Sequence, residues 1–390
     1  MQIGLILLAL AYVLSQFFRA FLAVLTVPLE IDLGITPDVL ATASGLWFLS
    51  FAALQIPVGW GLDTLGPRRT SGWLLLIGGG GGAALFALAQ SVMQIHIAMI
   101  LIGIGCAPVL MASFYIFART FPPARFATLA ALMIGVGTLG NLMSSYPMAF
   151  AAQTIGWRAA LWLLTIGCVL VALGILATVR DPAKPEGNAQ GSLLDLLRMP
   201  VLWLMLPLAV VNYAPIGALR GLWIGPYLSD VFALNVSQIG VATLVMSVAM
   251  ILGTLAYGPL DRILGTRKWV VFGGNFAAFI LLVLLVMFSN ANAWLAIALL
   301  AGVGFFGSSF PVIIAHARGF FPEHLMGRGV TLMNLFGIGG VGLMQFGTGR
   351  IHSAWSGQAP DAPYVAIFVF LAVSLAVGLL FYARSRDTRD

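Results

Sequence analysis

A chain of 390 residues that is 61% hydrophobic and 8% charged is not an ordinary soluble domain, in which about a quarter of residues are charged. Its formal net charge of +6 lies in loops between apolar runs, so it marks membrane topology and excludes a nucleic-acid surface. Two cysteines, Cys106 and Cys168, both inside apolar runs, exclude a disulfide framework and a thiolate metal centre.

Apolar runs of about twenty residues, each long enough to cross a bilayer as a helix, recur from end to end. They predict spans at 4–27, 39–62, 70–90, 95–118, 126–150, 159–179, 201–224, 237–260, 269–290, 294–317, 329–350 and 363–383. The fold class is therefore an all-α membrane protein of twelve transmembrane helices. Two six-helix halves, 1–179 and 201–390, are joined by a cytoplasmic linker at 180–200. The first run has no basic n-region and no small-residue cleavage site, so it is read as helix one and not as a signal peptide. The linker carries Pro182, Pro185, Gly187, Asn188 and Gly191, and Ser192 to Arg198 suits a short amphipathic surface helix.

With the N-terminus inside, fifteen of the nineteen Lys and Arg residues fall on the cytoplasmic side. Arg158 and Arg350 fall outside, and Arg19 and Arg220 lie within spans. That asymmetry places both termini in the cytoplasm. A monomer in a bacterial inner (plasma) membrane, with the lipid bilayer as its surroundings, is the expected setting.

The halves repeat each other. The loop after span two reads Gly61-Leu-Asp63-Thr-Leu-Gly66-Pro-Arg68-Arg69; the loop after span eight reads Gly258-Pro-Leu-Asp261-Arg-Ile-Leu-Gly265-Thr-Arg267-Lys268. Gly103-Ile-Gly105 in span four matches Gly302-Val-Gly304 in span ten. Ala118-Arg119-Thr-Phe121-Pro122 matches Ala317-Arg318-Gly-Phe320-Phe321-Pro322. A further pair joins Tyr12 and Arg19 of span one to Tyr213 and Arg220 of span seven, with six residues between tyrosine and arginine in both. Four matches in register point to a duplicated six-helix unit.

On these motifs the chain resembles the major facilitator superfamily. The resemblance spans the whole chain and implies alternating access, the two halves rocking around a site near the midplane. In the loops, Gly66 and Gly265 suit tight turns that demand positive φ. Asp63 and Asp261 are expected to accept hydrogen bonds from helix N-termini or to pair with arginines. With Arg68, Arg69, Arg267 and Lys268 they form a conformational latch; the alternative is that these charges only anchor topology.

A central arginine costs about 2.5–3.5 kcal/mol on insertion scales, so Arg19 and Arg220 call for an explanation. All thirteen acidic residues fall outside the predicted membrane core, which leaves carbonyls, water, tyrosine hydroxyls or a bound anion as partners. Tyr12 and Arg19, seven residues apart, lie nearly on one helix face, as do Tyr213 and Arg220. Planar guanidinium forks suit phosphate or carboxylate. Pro215 and Gly217 predict a hinge or a fixed kink in span seven. Asn141, Asn212 and Asn334 are further candidate ligands or, alternatively, interhelical hydrogen-bonding groups.

Paired arginines on the first and seventh helices resemble the organophosphate:phosphate antiporter branch, the glycerol-3-phosphate and hexose-phosphate carriers. The resemblance implies that Arg19 and Arg220, with Tyr12, grip a substrate phosphate. Members of that branch add lysine or histidine to the site, and no span here contains lysine. The expected function is thus a secondary or facilitative transporter of a small organic anion, a phosphorylated metabolite first. A carboxylate, sugar-acid or nitrate-like anion carrier and a membrane anion sensor are the alternatives. No carboxylate or histidine falls at the centre of a span to relay a proton, so exchange is expected over proton symport. Met246 and Met250, on one face of span eight, offer thioethers for Cu(I) or, more simply, adaptable packing. No catalytic triad or metal set is present in the sequence, so an enzyme is not expected, nor is a cofactor.

Overall fold

The computed structural model describes residues 2–183, 193–322 and 325–387, and nearly all of them are helical. In chain order, α1 comprises Gln2–Phe17 and Leu22–Leu33, and α2 comprises Pro37–Ala53 and Gln55–Thr64. There follow α3 (Pro67–Ala87), α4 (Val92–Thr120), α5 (Thr128–Thr154), α6 (Trp157–Thr178), α7 (Pro200–Phe232), α8 (Val236–Leu264), α9 (Lys268–Met287), α10 (Ala293–Arg318), α11 (Arg328–Trp355) and α12 (Ala362–Tyr382). Ten are long and apolar enough to cross a membrane alone, and α1 and α2 qualify as bent pairs, which gives up to twelve spans. A short helix, Leu193–Leu197, precedes α7 where the surface helix was expected. Residues 184–192, most of the expected linker, lie outside the described residues.

The chain divides into two compact units, Met1–Gly187 and Asn188–Asp390. Each has the same internal neighbours. In the first, α1 packs on α5 and α6, α2 on α4, and α3 on α4 and α6; in the second, α7 packs on α11 and α12, α8 on α10, and α9 on α10 and α12. Glycine sets the closest of these approaches, as small residues do in membrane helix pairs. A Cβ on Gly105 of α4 would lie 2.1 Å from the backbone nitrogen of Gly79 in α3. One on Gly340 of α11 would lie 2.0 Å from the Val210 carbonyl oxygen of α7.

Three of the helices, α1, α2 and α7, depart from regular geometry. α2 breaks after Ala53, four residues before Pro57, whose ring excludes the Ala53 carbonyl from the ladder. α1 bends by 57° across residues 18–21 with no proline inside the break. Phe17, Phe18 and Phe21 pack on one another there with ring centroids 5.6–5.9 Å apart. In α7 the ladder is interrupted at Tyr213, two residues before Pro215, and widens to a π-helical turn over Leu219–Trp223. π-turns often mark functional positions, because one residue leaves the regular register there.

Candidate functional site

Arg19 lies inside the 57° break of α1, not on a continuous helix as the sequence suggests. Its guanidinium sits over the faces of Trp47 and Phe51 of α2, 5.6 Å and 5.0 Å from the ring centroids. Those rings stack on each other at 5.2 Å. A cation over aromatic faces gains from the ring quadrupole without giving up its N–H donors. Arg19 is partly exposed, and its Nε is buried without a hydrogen-bond partner among the described residues. No salt bridge to it occurs there. The charge thus rests on an aromatic platform.

Arg220, its repeat partner, has a different environment. It lies in the π-helical turn of α7, is 2% exposed, and donates from Nη1 to Ser247 Oγ of α8 at 3.3 Å. Ser247 in turn donates to the Thr243 carbonyl at 2.8 Å. Two positions equivalent in the repeat therefore differ in burial: Arg19 is partly exposed at a break, and Arg220 is buried.

The remaining candidates separate. Tyr12 accepts a hydrogen bond from Gln16 Nε2 at 2.9 Å and packs its ring on Gly137 of α5. Tyr213 stands at the α7 interruption with its ring 5.8 Å from Phe310 of α10. Asn212 Nδ2 donates to Asn275 Oδ1 and Ser309 Oγ, both at 2.9 Å, so it ties α7 to α9 and α10. The Asn141 carbonyl accepts from Ser144 and Ser145, each at 3.0 Å. Asn334 is half-buried on α11 and forms no hydrogen bond among the described residues. Met246 and Met250 are buried and cover Gly304 of α10, a packing contact. Among the described residues no group of His, Cys, Asp or Glu is arranged to hold a metal.

At the ends that carry the basic loops, the charges act within each unit. Asp63 reaches Arg119 at 3.8 Å, and Asp261 reaches Arg267 at 3.4 Å. Of the two roles expected for Asp63 and Asp261, they take the pairing with arginine, and two other carboxylates serve the helix N-termini. Asp181, after α6, accepts from the backbone N–H of Arg68 at 2.8 Å. Asp387, after α12, accepts from that of Lys268 at 3.0 Å and from the Thr266 hydroxyl. Gly66 has φ +88°, and a Cβ there would meet the Asp181 carboxylate at 2.5 Å. Gly265 has φ +64° and closes α8. Arg68 Nε donates to the Leu176 carbonyl and Lys268 Nζ to that of Ala383. Among the described residues the Arg69 side chain forms no hydrogen bond or ion pair, and it is exposed.

Burial is the largest single influence on Asp387 and opposes its ionisation. Its bonds to Thr266 and to the backbone of Lys268 and Arg267, with nearby His316, outweigh it and hold the carboxyl below the usual carboxylate range. A depressed folded value means stability that is complete above the ordinary aspartate pKa near 4 and lost as pH falls through the folded value. Asp387→Asn is thus expected to lower stability at pH 7 by about 0.5–2 kcal/mol, the range of a lost helix-capping carboxylate. The deficit should disappear in acid below the usual carboxylate range, as thermal unfolding across pH would show.

The eleventh span runs past its expected end at 350: α11 continues to Trp355, and His352 is buried against Trp223 and Tyr364, ring centroids 5.1 Å and 5.6 Å away. His316 is fully buried in α10, within 2.6 Å of the Tyr382 hydroxyl and 2.9 Å of the Arg386 carbonyl. Trp157 and Arg158, at the start of α6, both bond Asp32 at the end of α1.

A family model described as Major Facilitator Superfamily matches residues 8–224 and 221–390. The chain is 26% identical over 166 residues to an uncharacterized transporter, YybO, of Bacillus subtilis, covering 42% of this chain and 37% of that protein. It is 22% identical over 176 residues to a probable galactarate/D-glucarate transporter, GudP, of the same organism, covering 44% and 39%. The matches thus span under two fifths of either relative's length. Among solved structures, a bacterial homologue of the human lysosomal transporter Spinster aligns with a TM-score of 0.78 at 18% identity, covering 98% of this chain and 96% of that one. A D-xylose-proton symporter aligns with a TM-score of 0.78 at 15% identity, covering 98% and 97%.

Proposed function

We propose that this chain, which belongs to the Major Facilitator Superfamily, carries a small organic anion with Arg19 as the anchor for its acid group. The observation that carries the reading is a partly exposed guanidinium on an aromatic platform, with no carboxylate beside it and a buried Nε left without an acceptor. An unneutralised charge at that depth is costly unless something anionic visits it. Arg220 supplies the corresponding charge in the second unit. Its guanidinium donates to Ser247, a neutral acceptor, and a carboxylate or phosphate would be a stronger acceptor for it.

A carboxylate is favoured over a phosphate. A phosphoryl group would draw on two open guanidinium forks, whereas Arg220 is 2% exposed. The name of the B. subtilis relative, a probable galactarate/D-glucarate transporter, points the same way. The phosphorylated substrate stays as the second reading on the strength of the paired Tyr-x6-Arg. Exchange remains the proposed mode, because His316 and His352 are packed at the unit ends against Tyr382 and Trp223.

Counterflow in proteoliposomes tests this. Vesicles preloaded with a sugar diacid should take up labelled diacid, vesicles preloaded with a sugar phosphate should take up less, and a pH gradient alone should drive no accumulation. Binding without counterflow would make the protein a sensor. Accumulation driven by a pH gradient and abolished by substituting His316 would refute exchange.

A further inference from the structure

The anchor does not stand alone. Trp47, wholly buried, carries an indole Nε1 with no hydrogen-bond partner among the described residues. Gln16, 8% exposed, gives Nε2 to Tyr12 and has Oε1 left over. Ser15, 1% exposed, has beside its hydroxyl the thiol of Cys106, a weak hydrogen-bonding group that is also within electrostatic reach of Arg19. Ser15 and Gln16 lie in the last turn of Gln2–Phe17, directly before the break that holds Arg19. The Arg19 guanidinium lies over the ring whose Nε1 is Trp47's own. Buried polar groups are nearly always paired in native proteins, so a concentration of orphans around one open charge calls for a ligand.

The chemistry of the orphans limits that ligand. Arg19 Nε and Trp47 Nε1 are donors, Gln16 Oε1 is an acceptor, and the serine hydroxyl is both. A plain mono- or dicarboxylate brings only acceptors at neutral pH and would leave Gln16 Oε1 unsatisfied. An acid with hydroxyls on the carbons next to its carboxylate brings both: the carboxylate accepts from Arg19, while the hydroxyls accept from Trp47 and donate to Gln16. We infer that Trp47, Gln16 and Ser15 form a hydroxyl-reading shelf beside Arg19 that selects polyhydroxy acids over unsubstituted acids of the same length. The inference rests on Arg19 as the acid anchor and adds the residues that set specificity.

The test compares galactarate with adipate, the same six-carbon diacid without hydroxyls, by titration calorimetry on purified full-length protein. The wild type should bind galactarate at least about tenfold more tightly, the discrimination expected of one well-made hydrogen bond. Trp47→Phe, Gln16→Leu and Ser15→Ala should each reduce that ratio toward one with adipate affinity little changed, whereas Arg19→Lys should weaken both ligands together. Ser15→Ala removes one oxygen and keeps the test open if Trp47→Phe fails to give monodisperse protein. Equal affinity for the two diacids in the wild type, or a ratio unmoved by all three shelf variants, overturns the shelf and leaves the anchor standing. Arg19→Lys without effect on either ligand overturns the anchor itself, and no binding of galactarate overturns both.

Discussion

Arg19→Ala is expected to abolish saturable anion uptake in proteoliposomes while the protein remains folded. The side chain stands on Trp47 and Phe51 and makes no salt bridge among the described residues, so its removal breaks no ion pair. It also relieves the cost of a charge within the span. Truncating one member of a buried charge pair costs about 2–5 kcal/mol, which converts to a loss of roughly 30- to 5,000-fold in substrate affinity. Arg19→Lys keeps the charge as a point and loses the planar fork, so an intermediate loss of about tenfold is expected. Initial rates at several substrate concentrations separate the two: the lysine variant should show a raised KM, the alanine variant no saturation. Uptake by Arg19→Ala at the wild-type rate would remove this residue from the site.

Arg220→Met should separate stability from transport. At 2% exposure, inside a π-helical turn and bonded to Ser247, the guanidinium is a costly element of its unit. Replacing a buried charged group by an apolar one of similar volume is often neutral or stabilising. Ser247 does not become an orphan, because its hydroxyl already donates to the Thr243 carbonyl. The expected result is an unchanged or raised unfolding temperature together with uptake reduced on the order of 10²-fold, the loss of one charge-assisted anion contact. A large fall in unfolding temperature would instead make Arg220 a structural residue. Wild-type uptake would leave Arg19 as the sole cationic ligand of the proposal.

The duplicated unit, the apolar runs and the cost of two arginines within spans are visible in the sequence because each is local or repeats in register. The environment of those arginines is not. Nothing in Phe17-Phe18-Arg19-Ala20-Phe21 announces a 57° bend, since no proline breaks it and the aromatic packing that holds it involves rings brought together by the fold. Trp47 reads as a core residue in an apolar run, and only the position of α2 against α1 shows its indole nitrogen left over beside Arg19. Asp181 and Asp387 meet the N-termini of α3 and α9 from 113 and 119 residues away. Their matching places after α6 and α12 repeat in register like the loop motif itself. The polar residues after Gly349 conceal a helix that runs on to Trp355.

Thermal stabilisation of the purified protein by sugar acids, simple dicarboxylates, sugar phosphates and nitrate, beside Arg19→Lys, tests the central claim most directly. The account predicts that sugar acids raise the unfolding temperature of the wild type in a saturable way, and that Arg19→Lys moves the midpoint to higher concentration. Stabilisation by any of these anions with the same midpoint in the wild type and in Arg19→Lys would show that the anion is held elsewhere.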